Sequence, residues 1–185
     1  MTERPLSFQI IKLVEKHGWK DLSFDKIAES IGISLADLRE KYTQKEDILI
    51  DFNKGIDQKI LSEISKEDLA GAAPRDQIQE LFLYRFEILG PYKQALKIIY
   101  KDMLFHPTDL VPNMIDNLSS LNWLLSLSDA DLNGFLGFAK SQGLKVIYVL
   151  SFKKWLEDDS KNQEKIMAFL DKSLRFGERI IDNYR

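Results

Sequence analysis

The chain has 185 residues with a formal net charge of −3 at pH 7, of which 44% are hydrophobic and 30% charged, with two histidines and no cysteine. This is the composition of an ordinary globular protein, and it excludes disulfides and thiolate metal sites. No stretch approaches the roughly 18 uninterrupted apolar residues that cross a bilayer, and the start lacks a signal-peptide pattern. We therefore expect no membrane span and a cytoplasmic location.

Apolar residues recur at steps of three and four along almost the whole chain, without the alternation that marks strands. This periodicity predicts an all-α fold of about nine helices. We divide it into an N-terminal helix-turn-helix head at residues 1–50 and a C-terminal helical bundle, the body, at residues 51–185. The small and polar segment 65–77 is the best candidate for a break along the chain.

The head begins with a helix expected at residues 6–17. Ser23 then caps a short helix to residue 31, Gly32 supplies a turn, and Ser34 caps the next helix.

A capping box at residues 43–46, Thr-Gln-Lys-Glu, opens a longer fourth helix to about residue 64. The remaining helices are expected at about 74–90, 91–105, 113–127, 129 or 131 to 157, and 161–182.

The two short helices of the head, FDKIAESI and LADLREK, flank the turn Gly-Ile-Ser. This spacing is typical of the DNA-reading helix-turn-helix, in which the second helix presents side chains to the major groove. The residues expected to hold the two helices together are Ile27, Ala28, Ile31, Ile33 and Leu38.

The stretch from His17 to Leu49 resembles the head of the TetR family of bacterial regulators. The matching positions are Gly18, Ser23, Ile27, Ala28, Gly32, Ile33, Ser34, Tyr42, Lys45, Glu46, Ile48 and Leu49. The resemblance implies a homodimeric transcriptional regulator of the repressor type. Its body would bind a hydrophobic small-molecule effector. Its partner would be double-stranded DNA with a palindromic operator.

The resemblance also implies which residues contact DNA. Lys45 and the backbone amides at the start of the fourth helix would bind a phosphate, since helix N-termini favour anions. Leu35, Ala36 and Arg39 would face the groove, although Arg39 stands where a phosphate-contacting tyrosine is usual in the family. The full set expected at DNA is Ser23, Lys26, Ser34, Leu35, Ala36, Arg39, Lys41, Tyr42 and Lys45.

Acidic residues in the head weigh against this interpretation. Residues 1–57 hold nine Lys or Arg against eleven Asp or Glu, and two of the acids, Asp37 and Glu40, lie in the groove-reading helix. We interpret Asp37 as the capping partner of Ser34 and expect Glu40 to point to solvent. The alternative is a helix-turn-helix that persists only as a packing unit.

A second resemblance concerns the body. The stretches LFLYRFEILGPYKQALKII and WLEDDSKNQEKIMAFLDKSL are similar to the C-terminal half of ubiquinone-biosynthesis accessory proteins, whose fold is similar to that of the TetR family. It implies an alternative function as a lipid-binding accessory protein that does not bind DNA.

Large apolar side chains are frequent in the body, and they either line a pocket between helices or form plain core. The candidate pocket residues are Phe86, Tyr100, Met103, Trp123, Phe135 and Phe138.

The last helix carries an apolar stripe. In the TetR family the C-terminal helices of two subunits form a four-helix bundle, so we expect a dimer; the alternative is that the stripe covers the chain's own core. The candidate interface residues are Ile166, Phe169, Leu170, Leu174 and Ile181.

No catalytic site is expected. The acids at 157–159 lie at a helix junction and are interpreted as caps, and His106 near Asp109 is interpreted as structural. A glycine-rich phosphate loop, a nucleophile elbow and paired histidines at metal-binding spacing are all absent from the sequence. We therefore expect neither an enzyme nor a bound cofactor or metal.

Overall fold

A computed structural model describes residues 5–104, 121–160 and 163–182, and every regular element in these ranges is a helix. This confirms the predicted all-α fold. The helices are α1 (Leu6–His17), α2 (Phe24–Ile31), α3 (Leu35–Lys41), α4 (Lys45–Glu63), α5 (Pro74–Leu89), α6 (Lys93–Leu104), α7 (121–125), α8 (Gly134–Glu157) and α9 (Glu164–Asp182), with a 3-10 turn at Gly90–Tyr92.

Most of the predicted helix starts agree with the structure, and α8 and α9 begin later than expected. The first begins at Gly134, with Asn133 as its N-cap residue, rather than at Asp129 or Asp131, and α9 begins at Glu164 rather than at residue 161. Most of the helix expected at 113–127, together with His106 and Asp109, lies outside the described residues.

Two compact units make up the described chain. The first contains residues 5–59 and 89–104, and the second contains residues 60–88, 121–160 and 163–182. The predicted head lies entirely in the first unit, which also includes α6. The division at residue 50, which was made on functional grounds, stays a prediction. Across the described ranges, no helix is long and apolar enough to cross a membrane.

Three aromatic rings form the centre of the first unit. Phe8 of α1 lies 4.8 Å from Phe52 of α4 and 5.5 Å from Tyr92 of the 3-10 turn, measured between ring centroids. The Phe52 and Tyr92 rings are 5.1 Å apart and nearly perpendicular, a favourable arrangement for aromatic pairs. These contacts hold α1 against α4.

Gly55 permits this close approach of α1 and α4. A Cβ atom at this position would lie far inside the van der Waals contact distance of Cε2 of Phe8. The Phe8 ring is held by its two aromatic neighbours and has little room to move away. Glycine is therefore required by packing in the middle of a helix, where it otherwise costs about 1 kcal/mol relative to alanine.

The second unit has an aromatic core of its own. The Phe86 ring of α5 stacks on Tyr148 and Trp155 of α8, with centroid distances of 5.4 Å to each. The buried Arg85 donates a hydrogen bond from Nε to the Tyr148 hydroxyl at 2.9 Å. Tyr148 therefore joins the polar and the aromatic parts of this core.

The segment 65–77 packs inside the second unit and does not separate the two units. The amide of the buried Gln77 donates to the carbonyl oxygen of Leu69 at 3.0 Å and to the Asp129 carboxylate at 2.8 Å. In return, the Asp129 backbone N–H donates to the Gln77 side-chain oxygen at 2.7 Å. Gln77 thus binds both the carboxylate and the backbone N–H of Asp129. Asp129 is therefore part of a packed loop and does not start α8.

The short connection between α8 and α9 is capped as the acidic sequence at 157–159 suggested. The buried Asp158 carboxylate accepts hydrogen bonds from the backbone N–H groups of Ser160 at 2.9 Å and Ile166 at 3.2 Å. Burial raises the pKa of Asp158, but the hydrogen bonds together with the Lys165 charge outweigh it and lower the pKa below its usual range. Asp158 is thus ionised at neutral pH and holds the start of α9.

Candidate nucleic-acid interface

The helix-turn-helix forms from local sequence signals. The Ser23 hydroxyl accepts the backbone N–H of Lys26 at 3.3 Å, and the Ser34 hydroxyl accepts that of Asp37 at 3.0 Å. Each serine therefore caps the helix that follows it. Between the helices, Gly32 has φ 77° and ψ 34°, a left-handed conformation that costs glycine little.

A small buried core joins α2 to α3. Ile27 and Leu38 are fully buried, and Ala28 is 6% exposed. Ile31 and Ile33, which were expected in the same core, are only half-buried. The core therefore holds the two helices together and leaves the outer face of α3 accessible.

Most of the α3 side chains predicted to meet DNA are exposed. Ala36 and Arg39 are exposed and Leu35 is half-buried, while Ser23 and Ser34 lie exposed at the two helix starts. The two acids, Asp37 and Glu40, are exposed as well. Exposure is what a groove contact needs, and the roles predicted for these residues stay predictions.

Two lysines of the predicted set are bound to neighbouring parts of the chain. The Lys26 ammonium donates to the backbone carbonyl oxygen of Asp21 at 2.9 Å. The Lys41 ammonium lies 3.7 Å from the Asp51 carboxylate in a largely exposed ion pair. Exposed ion pairs contribute little free energy, so a phosphate can compete with Asp51 for Lys41.

Tyr42 lies in the core of the first unit and has to be removed from the predicted interface. Its side chain is 2% exposed, and its hydroxyl donates to the Asp51 carboxylate at 2.6 Å. Burial, followed by this hydrogen bond, raises the pKa of Tyr42 well above its usual range. A side chain this enclosed contributes packing to the head rather than a direct contact with DNA.

The Lys45 side chain turns back onto the segment between α1 and α2. Its ammonium donates to the carbonyl oxygens of Trp19 at 2.7 Å and Lys20 at 3.3 Å, and it lies 5.1 Å from the Trp19 ring centroid. Burial lowers the pKa of Lys45, opposed by the charges of Glu46, Asp102 and Asp21. A phosphate contact by Lys45 therefore requires the ammonium to leave two carbonyl partners.

The Asp47 carboxylate folds back onto the two residues that precede α4. Asp47 accepts hydrogen bonds from the Thr43 and Gln44 backbone N–H groups at 2.8 and 3.0 Å and from the Thr43 hydroxyl at 2.6 Å. The sequence interpretation gave the reciprocal capping role to Glu46 and missed Asp47. The signal was present, because Asp47 lies three residues after Gln44, the residue that precedes the helix.

The six residues predicted to line an effector pocket have different environments. Phe86 is fully buried in the aromatic core of the second unit, whereas Phe135 and Phe138 are 89% and 61% exposed. Trp123 is half-buried in the second unit, and the half-buried Tyr100 and Met103 belong to the first.

A groove of about 660 Å³ does lie between α5 and α9, but it contains none of these six residues. Charged side chains line much of it, including Arg75, Glu80, Glu87, Asp171 and Arg175. Within the described ranges, His, Asp and Glu side chains form no group of three or more that could hold a metal ion.

The apolar stripe predicted to form the dimer interface mostly faces the chain's own core. Ile166 and Leu170 are fully buried and Leu174 is 3% exposed in the single chain, because α9 packs along α8. Phe169 and Ile181 are half-buried. The three buried residues therefore cannot form an intersubunit contact, and the alternative interpretation applies to them.

Comparison with known proteins connects this geometry to one group of folds. No protein-family model matches the sequence, and no curated protein does. The structure is similar to the TetR transcriptional regulator from Nitrosomonas europaea ATCC 19718, with a TM-score of 0.74 and 17% identity over 94% of this chain and 95% of that chain. It is also similar to a TetR transcriptional regulator from Rhodococcus sp. RHA1, with a TM-score of 0.68 and 10% identity over 93% and 92% of the two chains. The chain has the fold of the TetR transcriptional regulators.

Proposed function

We propose that this protein is a DNA-binding transcriptional regulator. The observation that carries the proposal is the helix-turn-helix at residues 24–41, whose two capped helices share a buried core and leave one face of α3 exposed. The second helix of such a unit enters the major groove and contacts bases with its exposed side chains. The similarity of the fold to two transcriptional regulators supports the same function.

The test is selection of bound sequences from randomised duplex DNA, followed by a salt titration on the selected sequence. We expect a palindromic consensus and an observed binding constant that falls steeply with salt, because Lys and Arg contacts release counterions from DNA. A matched control is Ala36→Glu, which adds a carboxylate to the exposed face of α3 without touching the core. It should abolish selection while leaving the circular dichroism spectrum unchanged.

Two results would contradict the proposal. One is the absence of any enriched sequence from the wild-type protein. The other is equal enrichment by the wild type and Ala36→Glu, because binding would then not involve α3. The helix-turn-helix would in either case be a packing unit only.

We further propose that the protein acts as a homodimer through the outer faces of α8 and α9. These faces carry large hydrophobic side chains that the single chain leaves exposed: Val146, Leu150, Phe176 and Ile180. A two-fold dimer would place two copies of α3 on the half-sites of a palindrome. We propose that the dimer represses transcription while it is bound to DNA. A hydrophobic small molecule that binds in the second unit would release the dimer from DNA.

The effector proposal takes up the resemblance to the TetR family, and it requires the aromatic side chains of α5 and α8, which stack on one another in the second unit, to move apart. Native mass spectrometry of the purified protein would show a bound hydrophobic compound, and adding that compound should weaken DNA binding. A compound that binds without changing DNA affinity would contradict the proposed control.

A further inference from the structure

The guanidinium of Arg39 lies over the ring of Phe24, with 5.3 Å between Cζ and the ring centroid. Phe24 is the first residue of α2 and Arg39 is the fifth of α3, so the contact joins the two helices of the helix-turn-helix. A cation at this distance is attracted by the face of an aromatic ring. The ring thus restricts a long side chain that would otherwise sample many rotamers.

Lys41 and Lys45 also lie over aromatic rings, those of Tyr42 and Trp19, but each of them has an oxygen partner as well. Lys45 and Lys26 donate N–H groups to backbone carbonyls, and Lys41 faces the Asp51 carboxylate. Within the part of the chain that the structure describes, Arg39 has neither a carboxylate nor a carbonyl partner. The face of a ring attracts the charge but leaves the in-plane N–H donors of the guanidinium available.

We propose that Arg39 determines specificity by reading a guanine in the major groove, an inference that rests on the proposed DNA-binding function. The planar guanidinium has two parallel donors that match O6 and N7 of guanine, the commonest base-specific contact of arginine. Its exposed position on α3, the helix that enters the groove, allows this contact. Phe24 is a positioning residue, because it orients the guanidinium without touching DNA.

A phosphate contact, which the TetR resemblance implies at this position, makes different demands. A phosphate attracts any cation, so a lysine at position 39 would largely replace the arginine. Guanine offers O6 and N7 side by side, which the two parallel donors of arginine fit better than the compact ammonium of lysine. The variant Arg39→Lys therefore separates the two roles, since it keeps the charge and loses the geometry.

The experiment measures binding of wild type, Arg39→Lys, Arg39→Ala and Phe24→Leu to the selected sequence, to its single-base variants, and to duplexes with 7-deazaguanine at each guanine. In the wild type, one guanine per half-site should be sensitive to loss of N7. Arg39→Ala should lose about 10- to 100-fold in affinity and become indifferent to the base at that position, and Arg39→Lys should lose affinity together with part of the preference for guanine. Phe24→Leu should lose part of this preference at the same position.

The salt slope and a control variant complete the design. Arg39→Lys should keep the wild-type slope, while Lys41→Ala should weaken binding about equally on all sequences. Two results together would assign Arg39 to a phosphate and overturn the inference. They are a normal base preference in Arg39→Lys and a salt slope that is lower by about one in Arg39→Ala. A consensus without a guanine in the half-site also overturns it. Failure of the wild type to select any sequence refutes the proposed function itself, and the inference with it.

Discussion

Asp47 is the residue whose chemistry at the start of α4 is most directly testable. Its carboxylate accepts the Thr43 hydroxyl and the Thr43 and Gln44 backbone N–H groups. The Thr43 hydroxyl, followed by these amide hydrogen bonds, lowers the pKa of Asp47 below its usual range. The carboxylate therefore satisfies the backbone N–H groups of the two residues that precede the helix.

We predict that Asp47→Ala lowers the free energy of unfolding by about 1 kcal/mol at pH 7, the usual effect of losing a helix cap. Because the folded pKa is lowered, the stabilisation is complete above the unfolded-state pKa and is lost as the pH falls through the folded-state pKa. Urea denaturation of both proteins at pH 7 and at successively lower pH measures this difference. We expect the two stabilities to converge in acid.

The control for this prediction is Asp37→Ala in the first turn of α3. Asp37 is an exposed acid near a helix start. Its backbone N–H, rather than its carboxylate, makes the capping hydrogen bond with the Ser34 hydroxyl. A loss for Asp37→Ala as large as that for Asp47→Ala would mean that the general helix-dipole effect, rather than the hydrogen bonds of Asp47, provides the stability.

At the scale of elements, the pairing of α1 with α4 depends on Gly55. Substituting Gly55→Ala places a methyl group against the Phe8 ring, and overpacking of this kind costs about 1 to 3 kcal/mol. Part of this is offset by the better helix propensity of alanine. We therefore predict that Gly55→Ala lowers the free energy of unfolding by about 1 to 2 kcal/mol, measured by urea denaturation.

Gly177→Ala in α9 is the matched control, because a Cβ there lies 3.6 Å from the Ile147 side chain, an ordinary contact. It should be neutral or stabilising by up to about 1 kcal/mol. Gly55→Ala should lower the free energy of unfolding less in a Phe8→Leu background than in the wild type, because leucine leaves room for the added methyl group. Equal effects of the two glycine substitutions would contradict the steric explanation.

Helix positions could be predicted where a local signal was sufficient. Ser23 and Ser34 cap α2 and α3 as expected, because the capping hydrogen bond forms within three residues of the serine. The start of α8 could not be predicted in this way. Asp129 has the residue type of a cap, but Gln77, which is 52 residues away in sequence, binds both its N–H and its carboxylate.

At the scale of the whole molecule, the proposed dimer depends on the exposed apolar faces of α8 and α9. Leu150 is 51% exposed and Phe176 is 65% exposed, whereas Leu170 is fully buried. We predict that Leu150→Glu and Phe176→Glu convert a dimer into folded monomers, because they place a charge in the interface and leave the core intact. Light scattering after size-exclusion chromatography measures the mass.

Leu170→Glu provides the contrast, because a carboxylate in the core of the second unit should unfold the protein rather than only dissociate it. Thermal melting followed by circular dichroism distinguishes these outcomes. A dimer that persists in both surface variants would exclude this face as the interface. A folded monomer from Leu170→Glu would instead restore the interface predicted from the sequence.

The sequence by itself determined the all-α fold and the helix-turn-helix, since helical periodicity, serine caps and a glycine turn act over a few residues. It also indicated which parts of α3 could meet DNA. Only the tertiary structure decided which polar groups and apolar stripes are already used within the chain. Lys45 bonds carbonyls of the α1–α2 segment, Tyr42 bonds Asp51, and the Ile166–Leu174 stripe packs on α8. These outcomes depend on partners that are distant in sequence or belong to another helix, and helical periodicity shows that a face is apolar without showing what covers it.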